Sequence, residues 1–335
     1  MREIEIKNNE AGQRFDKFLK KYLSDASVSF IYKMLRKKNI ILNGKKATGS
    51  EKLQPGDSVK LFLADETIEK FSGKSFSDVY KTLPHVKLDI IYEDENVLIV
   101  NKPVGMLSQK AKPGDVSVVE YVIDYLLREG AVTPEGLATF KPSVCNRLDR
   151  NTSGIITAGK SLAGLQKLGE LFKNRTVRKY YLCLVHGKVS KPQHISGYLT
   201  KNEKTNKVTI TPRQKSKDNL PIETEYVPIA YSETVSLLKV HLITGRTHQI
   251  RAHLASIGHP LFGDMKYGGD ERKSSLKYQM LHSYELLFPE MEPPFEALSK
   301  RNIRAPLPET FYRIIKETTW EHGTQEALEV LHSKI

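Results

Sequence analysis

NRLDRNTSGII, residues 146–156, places one carboxylate between two guanidinium groups and follows them with a turn. Asp149 lies between Arg147 and Arg150, and residues 151–154 (NTSG) are all of turn-forming types. An ion pair at a surface loop would have the same composition, and exposed pairs contribute little to stability. This stretch alone does not distinguish a structural ion pair from a catalytic acid, so the rest of the chain is needed.

The overall charge indicates a polyanionic partner. The chain has 335 residues, with 52 Lys and Arg against 39 Asp and Glu, and a formal net charge of +13. Such an excess is typical of proteins that bind nucleic acid, and less often of proteins that bind an anionic membrane. A protein that is soluble and merely basic is the alternative.

Membrane insertion and secretion are not expected. No apolar run approaches the ~18 residues that a spanning helix needs, and the first residues lack a signal-peptide pattern. The two cysteines, Cys145 and Cys183, provide neither a disulfide framework nor a CxxC metal pair. We therefore expect a reduced, cytoplasmic protein in which Cys145 is a buried structural thiol.

Residues 1–63 are predicted to be a small separate module with a basic face. Apolar residues recur at helical spacing in RFDKFLKKYL and SFIYKMLRKKN, and short strands with turns follow in IILNG and LQPGDSVKLFL. Lys33, Arg36 and Lys37 lie opposite the apolar face of the second helix, so we expect them to contact RNA. A merely solvated basic face is the alternative.

The remaining chain is predicted to contain a linker (64–87), a large second domain (88–315) and a helical tail (316–335). The second domain interleaves strands and helices at irregular spacing, which favours an α+β fold over a doubly wound one. Its predicted elements are strands in 89–103, an amphipathic helix in 160–175, strands in 178–187 and 236–245, and a helix in 246–258. A basic insertion, 199–219, is expected to be an exposed hairpin or loop, either solvated or in contact with phosphates.

Familiar cofactor and metal motifs are absent from the sequence. It has no P-loop, no GxGxxG after a strand, no HExxH and no GxSxG. His248 and His253 are five residues apart, so they do not share a helix face as two metal ligands would. We expect no metal site and no cofactor.

Three segments could combine into a site for chemistry on RNA. They are Asp149 with its arginines, the pair Tyr180-Tyr181, and GRTHQIRAH (245–253). A carboxylate between guanidinium groups stays ionised, as a nucleophile or electrostatic stabiliser requires. An arginine can fill the gap left by a flipped base, and a tyrosine can stack on that base for about 1–3 kcal/mol. That gain would offset an unstacking cost of a few kcal/mol.

The order of these motifs resembles the RluA type of pseudouridine synthase, which modifies ribosomal RNA. NRLDRNTSG, RKYYLCLVHG and LITGRTHQIRAHLASIGHPLFGDMKYGG are similar to the family's three motifs, and LHSYELLF and RAPLP to its closing segments. The resemblance covers roughly residues 1–63 and 88–311. Residues 1–63 resemble the RNA-binding module named after a small-subunit ribosomal protein. The implied fold is a mixed, largely antiparallel β-sheet flanked by helices, with the small module appended.

The resemblance implies a role for each matching residue. The family's catalytic aspartate falls on Asp149, its active-site tyrosine on Tyr181, and the arginine paired with the aspartate on Arg251. Arg147 matches the arginine that takes part in base flipping. The family's usual His and Ala are replaced by Asn and Cys at two positions, so RNA contacts are expected to change and chemistry to persist. The remaining predicted RNA contacts in this motif are Asn146 and Arg150.

The function implied is isomerisation of uridine to pseudouridine, with large-subunit ribosomal RNA as the expected partner and transfer RNA as the alternative. We expect a monomer that needs no small-molecule cofactor and no membrane. One rival interpretation is a non-catalytic RNA-binding or ribosome-assembly factor on the same fold. Another is a nucleoside hydrolase or base-excision glycosylase, which would release free uracil.

Overall fold

The computed structural model describes residues 1–72, 86–134, 136–217, 219–268 and 276–332. In these ranges the strands form a four-stranded sheet near the N-terminus and an eleven-stranded sheet in the rest of the chain. The described helices are α1 (Phe15–Tyr22), α2 (Val28–Arg36), α3 (Asp65–Phe71), α4 (Val118–Arg128), α5 (Leu162–Lys173), α6 (Gln249–Ser256), α7 (Glu309–Glu317) and α8 (Thr324–His332). No helix within the described ranges is long and apolar enough to cross a bilayer.

The strands follow in chain order. The small sheet contains β1 (Arg2–Glu5), β2 (Ile40–Leu42), β3 (Lys45–Lys46) and β4 (Ser58–Leu61), in the order β1-β4-β2-β3. The strands of the large sheet are β5 (Ile90–Glu93), β6 (Val97–Lys102), β7 (Ser143–Val144), β8 (Ser153–Gly159), β9 (Arg178–His186), β10 (Gln193–Asn202), β11 (Lys207–Thr211), β12 (Leu220–Tyr231), β13 (Val235–Leu242), β14 (Leu281–Leu287) and β15 (Asn302–Arg304). Its main path runs β11-β10-β12-β13-β9-β14-β8-β6-β5, with β15 beside β14 and β7 beside β8.

The N-terminal module forms as its apolar spacing predicts. Helix α1 buries its apolar face in the core of the module. The Ser27 hydroxyl caps α2 by accepting a 3.2 Å hydrogen bond from the amide of Phe30. Asn43 and Gly44, at φ 51° and 73°, form the turn between β2 and β3 that an Asn-Gly pair favours.

Helix α3 corrects the predicted linker. The linker was expected from residue 64, but residues 65–71 are helical and complete the core of the N-terminal module. Ile68 is fully buried, and the ring of Phe71 lies 4.6 Å from that of Phe30. Because only one residue of this short helix is buried, its sequence shows little of the apolar periodicity that predicts a helix. Of the rest of the predicted linker, residues 73–85 lie outside the described part of the chain.

The N-terminal module contacts the rest of the chain through polar groups. The buried carboxylate of Glu10 accepts a 2.7 Å hydrogen bond from the Thr139 hydroxyl. The side-chain oxygen of Asn9 accepts a 3.3 Å hydrogen bond from the amide of Leu162, at the start of α5. Ala138 packs against the core of the module beside these bonds. These contacts hold the module against the large sheet.

The large sheet confirms the predicted α+β fold with a mixed, largely antiparallel sheet. The described strand pairs are antiparallel except that of β8 with β14. Strand β9 shows how the sheet separates two cores. Tyr181, Cys183 and Val185 face the core that includes α4, whereas Leu182 and Leu184 face the core that includes Phe311 and Trp320.

Most predicted elements of this domain are also confirmed. The strands expected in 89–103 are β5 and β6, the amphipathic helix in 160–175 is α5, and the strand in 178–187 is β9. The strand expected in 236–245 is β13, and the basic insertion is an antiparallel hairpin of β10 and β11. The helix expected in 246–258 is α6, which begins at Gln249. Helix α8 lies in the tail, where the sequence predicts a helix.

Gly154 is the residue that allows β8 and β14 to lie in parallel contact. Its φ is +107°, and a Cβ at this position would lie 2.1 Å from the carbonyl oxygen of Ser283. Ser283 is its partner in the strand register. Because only glycine avoids both the backbone strain and the overlap, Gly154 fixes where the preceding loop, residues 146–152, leaves the sheet.

We predict that Gly154→Ala lowers the free energy of unfolding by several kcal/mol, because the two strands cannot separate without losing their pairing. Chemical denaturation of the two purified proteins measures the difference. Gly169→Ala is the matched control, since Gly169 lies in α5 with no atom within 4 Å of its added Cβ. That substitution should stabilise the protein by up to about 1 kcal/mol. Equal stability of Gly154→Ala and wild type would contradict this account of the strand pair.

Candidate active site

Asn146 anchors the start of the loop that carries the acid. Its amide nitrogen donates a 2.9 Å hydrogen bond to the carbonyl of Ile155, and its side-chain oxygen accepts a 2.8 Å bond from the amide of Thr157. Both bonds join the loop back to β8. The structure therefore gives Asn146 a role in holding the loop, and the groups predicted to contact RNA are already engaged.

Ser108 and Lys102 anchor the middle and the end of the same loop. The Ser108 hydroxyl accepts from the amide of Leu148 at 2.9 Å and donates to its carbonyl at 2.8 Å. The buried ammonium group of Lys102 donates to the carbonyl of Arg150 at 3.0 Å. Burial lowers the pKa of Lys102 to about 7, which the charge of Asp149 partly opposes. The remaining acceptors of this ammonium group are the carbonyls of Pro103 and Met106.

The loop presents Asp149 to Arg251, as the resemblance predicts. Asp149 Oδ2 accepts a 2.8 Å hydrogen bond from Arg251 Nη1. Arg251 also donates from Nε and Nη2 to the two carboxylate oxygens of Asp264, at 2.7 and 2.9 Å. Burial lowers the pKa of Arg251, but hydrogen bonds and the charge of Asp264, and then of Asp149, outweigh burial and raise it. A buried guanidinium group thus joins two carboxylates.

Each residue of HQIR, residues 248–251, contributes to placing this guanidinium group. His248 adopts a left-handed backbone conformation, φ 52°, at the N-cap position just before α6. The buried side chain of Gln249 accepts from the amide of Arg246 at 3.1 Å and donates to the carbonyl of Glu223 at 2.9 Å. Ile250 packs into the main core. Helix α6 is therefore fixed at its first turn, where Arg251 points to Asp149.

His248 and Tyr267 complete the surroundings of the acid. His248 Nε2 lies 3.7 Å from Asp149 Oδ2, and Nδ1 lies 2.9 Å from the Tyr267 hydroxyl. Burial lowers the pKa of His248, although the charge of Asp149 opposes this, so the imidazole is neutral at neutral pH. The Tyr267 hydroxyl also accepts a 2.9 Å bond from the amide of Val208, and its ring lies 5.2 Å from Arg251 Cζ.

Tyr181 lies beside Asp149, whereas Tyr180 does not. Tyr181 is buried on β9, and burial raises its pKa to about 12, with the charge of Asp149 adding to the rise and a hydrogen bond with Ser283 opposing it. Its phenol is therefore protonated at neutral pH. The ring of Tyr180 instead stacks on His241, with ring centres 5.0 Å apart.

The acid stands where a small cavity meets a large cleft. The cavity, about 90 Å³, is lined by Arg147, Asp149, Tyr181 and Arg251, among others. The cleft is about 1120 Å³ and shares Arg147, Asp149 and Tyr181 with the cavity. Among the described residues that line the cleft, Asp149 is the only acid. The electrostatic potential of the cleft is therefore strongly positive. The seven bases of the cleft are Lys110, Arg147, Lys173, Arg175, Lys179, Lys201 and Arg246.

The structure brings together the four residues that the resemblance assigns to the reaction, Asp149, Tyr181, Arg251 and Arg147. Of the other predicted residues, Asn146 lines the cleft, whereas Arg150 and the three bases of the N-terminal module do not. Arg150 is exposed outside the cleft, and its Nε donates a 3.1 Å bond to the carbonyl of Gly105. On the N-terminal module the three predicted bases are exposed, Lys33 and Arg36 on α2 and Lys37 directly after it.

Sequence reasoning missed Asp264, His248 and Tyr267 as parts of the site. Asp264 and Tyr267 lie in the third motif, within LFGDMKYGG, and an acid in such an apolar segment was the available signal. A buried arginine needs more negative charge than one half-exposed carboxylate supplies. That requirement becomes visible only when the burial of Arg251 is known.

Cys183 is buried, whereas Cys145, which was expected to be a buried thiol, is only half-buried and lines the cleft. Burial raises the pKa of Cys145 to about 12, which leaves it protonated and unreactive at neutral pH. Burial lowers the pKa of His253 to about 4, and its Nδ1 lies 3.1 Å from the Thr224 hydroxyl. Within the described ranges, no three His, Cys, Asp or Glu side chains are placed to hold a metal ion.

Comparison with known proteins identifies the family. Residues 96–256 match the family model described as RNA pseudouridylate synthase. The ribosomal large subunit pseudouridine synthase C of Vibrio vulnificus (strain CMCP6) is 32% identical over 329 residues, which cover 93% of this chain and 95% of that protein. The chain belongs to the RNA pseudouridylate synthase family. It is therefore an RNA-modifying isomerase with the pseudouridine synthase fold.

Other matches agree with this assignment. The ribosomal large subunit pseudouridine synthase C of Rickettsia bellii (strain RML369-C) is 32% identical and covers 92% of this chain and 98% of its own length. The structure of human RNA Pseudouridylate Synthase Domain Containing 1 matches with a TM-score of 0.54 at 22% identity, over 76% of this chain and 98% of that one, which supports the fold. Residues 13–59 match the S4 domain, so the N-terminal module is an RNA-binding module.

We predict that Asp264→Asn lowers the free energy of unfolding by about 3–5 kcal/mol, because it leaves the buried guanidinium group of Arg251 with one carboxylate. Pseudouridine formation should fall as well, since Arg251 then loses its fixed position. Denaturant titration and an activity assay measure the two effects. Glu233→Gln is the control, since it removes one charge from the exposed pair with Lys188 and should cost less than about 1 kcal/mol. Equal losses in the two variants would refute the role of Asp264.

Proposed function

We propose that this pseudouridine synthase isomerises uridine in large-subunit ribosomal RNA, with Asp149 as its catalytic group. The observation that carries this proposal is the Asp149–Arg251 pair, which stands beside Tyr181 at the junction of a small cavity and a basic cleft. The two relatives named as ribosomal large subunit pseudouridine synthases match over nearly their whole length, which supports ribosomal RNA as the substrate. Transfer RNA is the alternative substrate.

The reaction begins with extrusion of the target base. Arg147 is exposed at the mouth of the cavity, and no described side chain pairs with it. Its guanidinium group is free to enter the RNA stack and to hold the phosphate of the displaced nucleotide. The extruded uracil enters the cavity and stacks on Tyr181. Stacking of about 1–3 kcal/mol offsets part of the unstacking cost.

Asp149 then acts on the nucleoside. The bond between N1 and C1′ breaks, uracil rotates, a bond forms between C5 and C1′, the C5 proton leaves, and N1 gains a proton. Substrate and product have the same atoms and the same oxidation state, so the conversion consumes no redox cofactor or nucleotide. Arg251 keeps the carboxylate of Asp149 oriented. Because His248 is neutral, it does not neutralise this carboxylate, whose negative charge stays available for the reaction.

Removal of the C5 proton is the step in which Tyr181 takes part. Its phenol is protonated at neutral pH, because its pKa is raised to about 12. The phenol oxygen can therefore accept the C5 proton only while passing its own proton on. Ser283 and Asp149, both of which affect the pKa of the phenol, are the neighbouring groups through which that proton can leave.

The N-terminal module provides a second RNA contact in this proposal. Its exposed bases on and directly after α2, Lys33, Arg36 and Lys37, have no ion pair within the described residues. The module extends to residue 72, because α3 completes its core. The catalytic domain follows from residue 88 and includes α7, and the tail with α8 packs on it.

We further propose that the protein works as a cytoplasmic monomer without a metal or small-molecule cofactor.

We predict that cells lacking this protein lose pseudouridine at one or more uridines of large-subunit ribosomal RNA. The wild-type chain should restore these sites, and Asp149→Asn should not, because the catalytic carboxylate is gone while Arg251 keeps Asp264. Nucleotide-resolution mapping of pseudouridine measures the result. Asp124→Asn makes the same chemical change on α4 outside the cleft and should restore the sites fully.

Other outcomes of this map separate the alternatives. Restoration by Asp149→Asn would indicate a non-catalytic ribosome-assembly factor. An unchanged ribosomal map with losses in transfer RNA would move the substrate to transfer RNA. Release of free uracil by the purified protein would indicate a hydrolase or glycosylase.

We predict that Tyr181→Phe separates stacking from proton transfer. The phenyl ring preserves stacking, so RNA affinity should stay within about twofold, while loss of the hydroxyl should slow product formation by about 100-fold or more. Tyr181→Leu is the comparison variant, since it should also weaken RNA binding by about 1–3 kcal/mol. Unchanged turnover in Tyr181→Phe would limit Tyr181 to stacking.

A further inference from the structure

We propose that Lys179 and Arg175 form a subsite that binds one phosphodiester group of the RNA, beside the target nucleotide. The subsite rests on the proposed function, because the cleft that it borders is the one that leads to Asp149. The new element is that two of the seven bases of the cleft, Lys179 and Arg175, act together on a single phosphate.

Lys179 points into the cleft because of its place in β9. It lies two residues before Tyr181, so the alternation of the strand puts both side chains on the same face. Its Nζ would be 3.8 Å from a Cβ built on Gly245, which lines both the cavity and the cleft. Lys179 is half-buried, and among the described residues its ammonium group makes neither a hydrogen bond nor an ion pair.

Arg175 lies at the same edge of the cleft. It follows α5 in a left-handed conformation, φ 60°. The turn is closed by hydrogen bonds from its own amide to the carbonyl of Phe172 at 3.3 Å and from the amide of Thr176 to that of Leu171 at 3.0 Å. The guanidinium group is exposed and has no partner within the described ranges. A fixed turn therefore presents a free cation at the rim.

Lys179 and Arg175 are four residues apart in the chain and line the same cleft. Burial lowers the pKa of Lys179, and the charge of Arg175 lowers it further. Two cations that share a partly desolvated site without an acid destabilise the free protein. An anion placed between them would reverse that cost.

Several other partly buried cations of this protein have partners, since the ammonium group of Lys102 donates to three carbonyl oxygens and two further lysines pair with acids. Lys160 pairs with Glu93, and Lys239 pairs with the buried carboxylate of Glu285. Within the described residues that line the cleft, the one carboxylate is Asp149, which Arg251 already holds. Within the described residues Lys179 has neither a carboxylate nor a carbonyl acceptor, which leaves its ammonium group available to an anionic ligand.

A phosphodiester is the anion that fits this position. The cleft admits RNA in the proposed function, and every nucleotide next to the target carries one such group. An ammonium and a guanidinium group can bond different oxygens of one phosphate, in charge-assisted hydrogen bonds that are stronger than neutral ones.

The test measures binding of a fluorescein-labelled ten-nucleotide oligouridylate to the full-length chain at several salt concentrations. Lys179→Gln and Arg175→Gln should each weaken binding about tenfold. If the two cations share one phosphate, the double variant should lower the slope of log affinity against log salt by about 0.7. If they bind separate phosphates, the slope should fall by about 1.4, which would overturn the shared subsite.

Lys191→Gln is the matched control, since Lys191 is exposed and outside the cleft. Its affinity should stay within about twofold of wild type. Thermal unfolding without RNA provides a second readout, in which Lys179→Gln should be at least as stable as wild type. A clear loss of stability there would show that Lys179 has a structural role and would overturn the proposal.

Binding requires no turnover, so this test and the pseudouridine map fail separately. If wild type binds the oligouridylate and Lys179→Gln binds equally well, the subsite is wrong and the proposed function stands. If wild type does not bind the oligouridylate at all, the subsite is wrong, and the pseudouridine map alone decides the proposed function.

Discussion

The buried guanidinium group of Arg251 is the element on which the site depends. It bonds to Asp264 through Nε and Nη2 and to Asp149 through Nη1, and so joins two loops that are far apart in the chain. A guanidinium group can satisfy both carboxylates because its donors point in fixed directions. Lysine at this position would supply the charge without the geometry. The position of the acid therefore depends on a residue that is itself held by a second acid.

The same network extends to the basic hairpin of β10 and β11. The ammonium group of Lys266 donates to the carbonyls of Thr205 and Asn206 at the turn of the hairpin. The Tyr267 hydroxyl accepts from the amide of Val208 and contacts His248. The hairpin supplies one base, Lys201, to the cleft and is thus tied to the group that orients Asp149.

The sequence predicted what depends on local pattern and on motif order. The period-two strand β9 and the amphipathic helix α5 follow from residues close together in the chain. The placement of Asp149, Tyr181 and Arg251 in one site was implied by the resemblance of three separate motifs to a known family. It could not predict the contact of Asp264 with Arg251, because burial creates the need for that second acid. Helix α3 was missed because it buries Ile68 alone, and the structural role of Asn146 was missed because its partners, Ile155 and Thr157, became visible only with the strand in place.

The contacts of Glu10 with Thr139 and of Asn9 with Leu162 have a consequence for substrate choice. They set a constant span between the basic face of α2 and the acid in the cleft. An RNA that contacts both the basic face of α2 and the cleft must therefore have a second backbone segment at this fixed distance from its reactive uridine. Recognition of this kind measures the three-dimensional shape of the RNA, so two sites with unrelated sequences but equal spacing would be equivalent substrates.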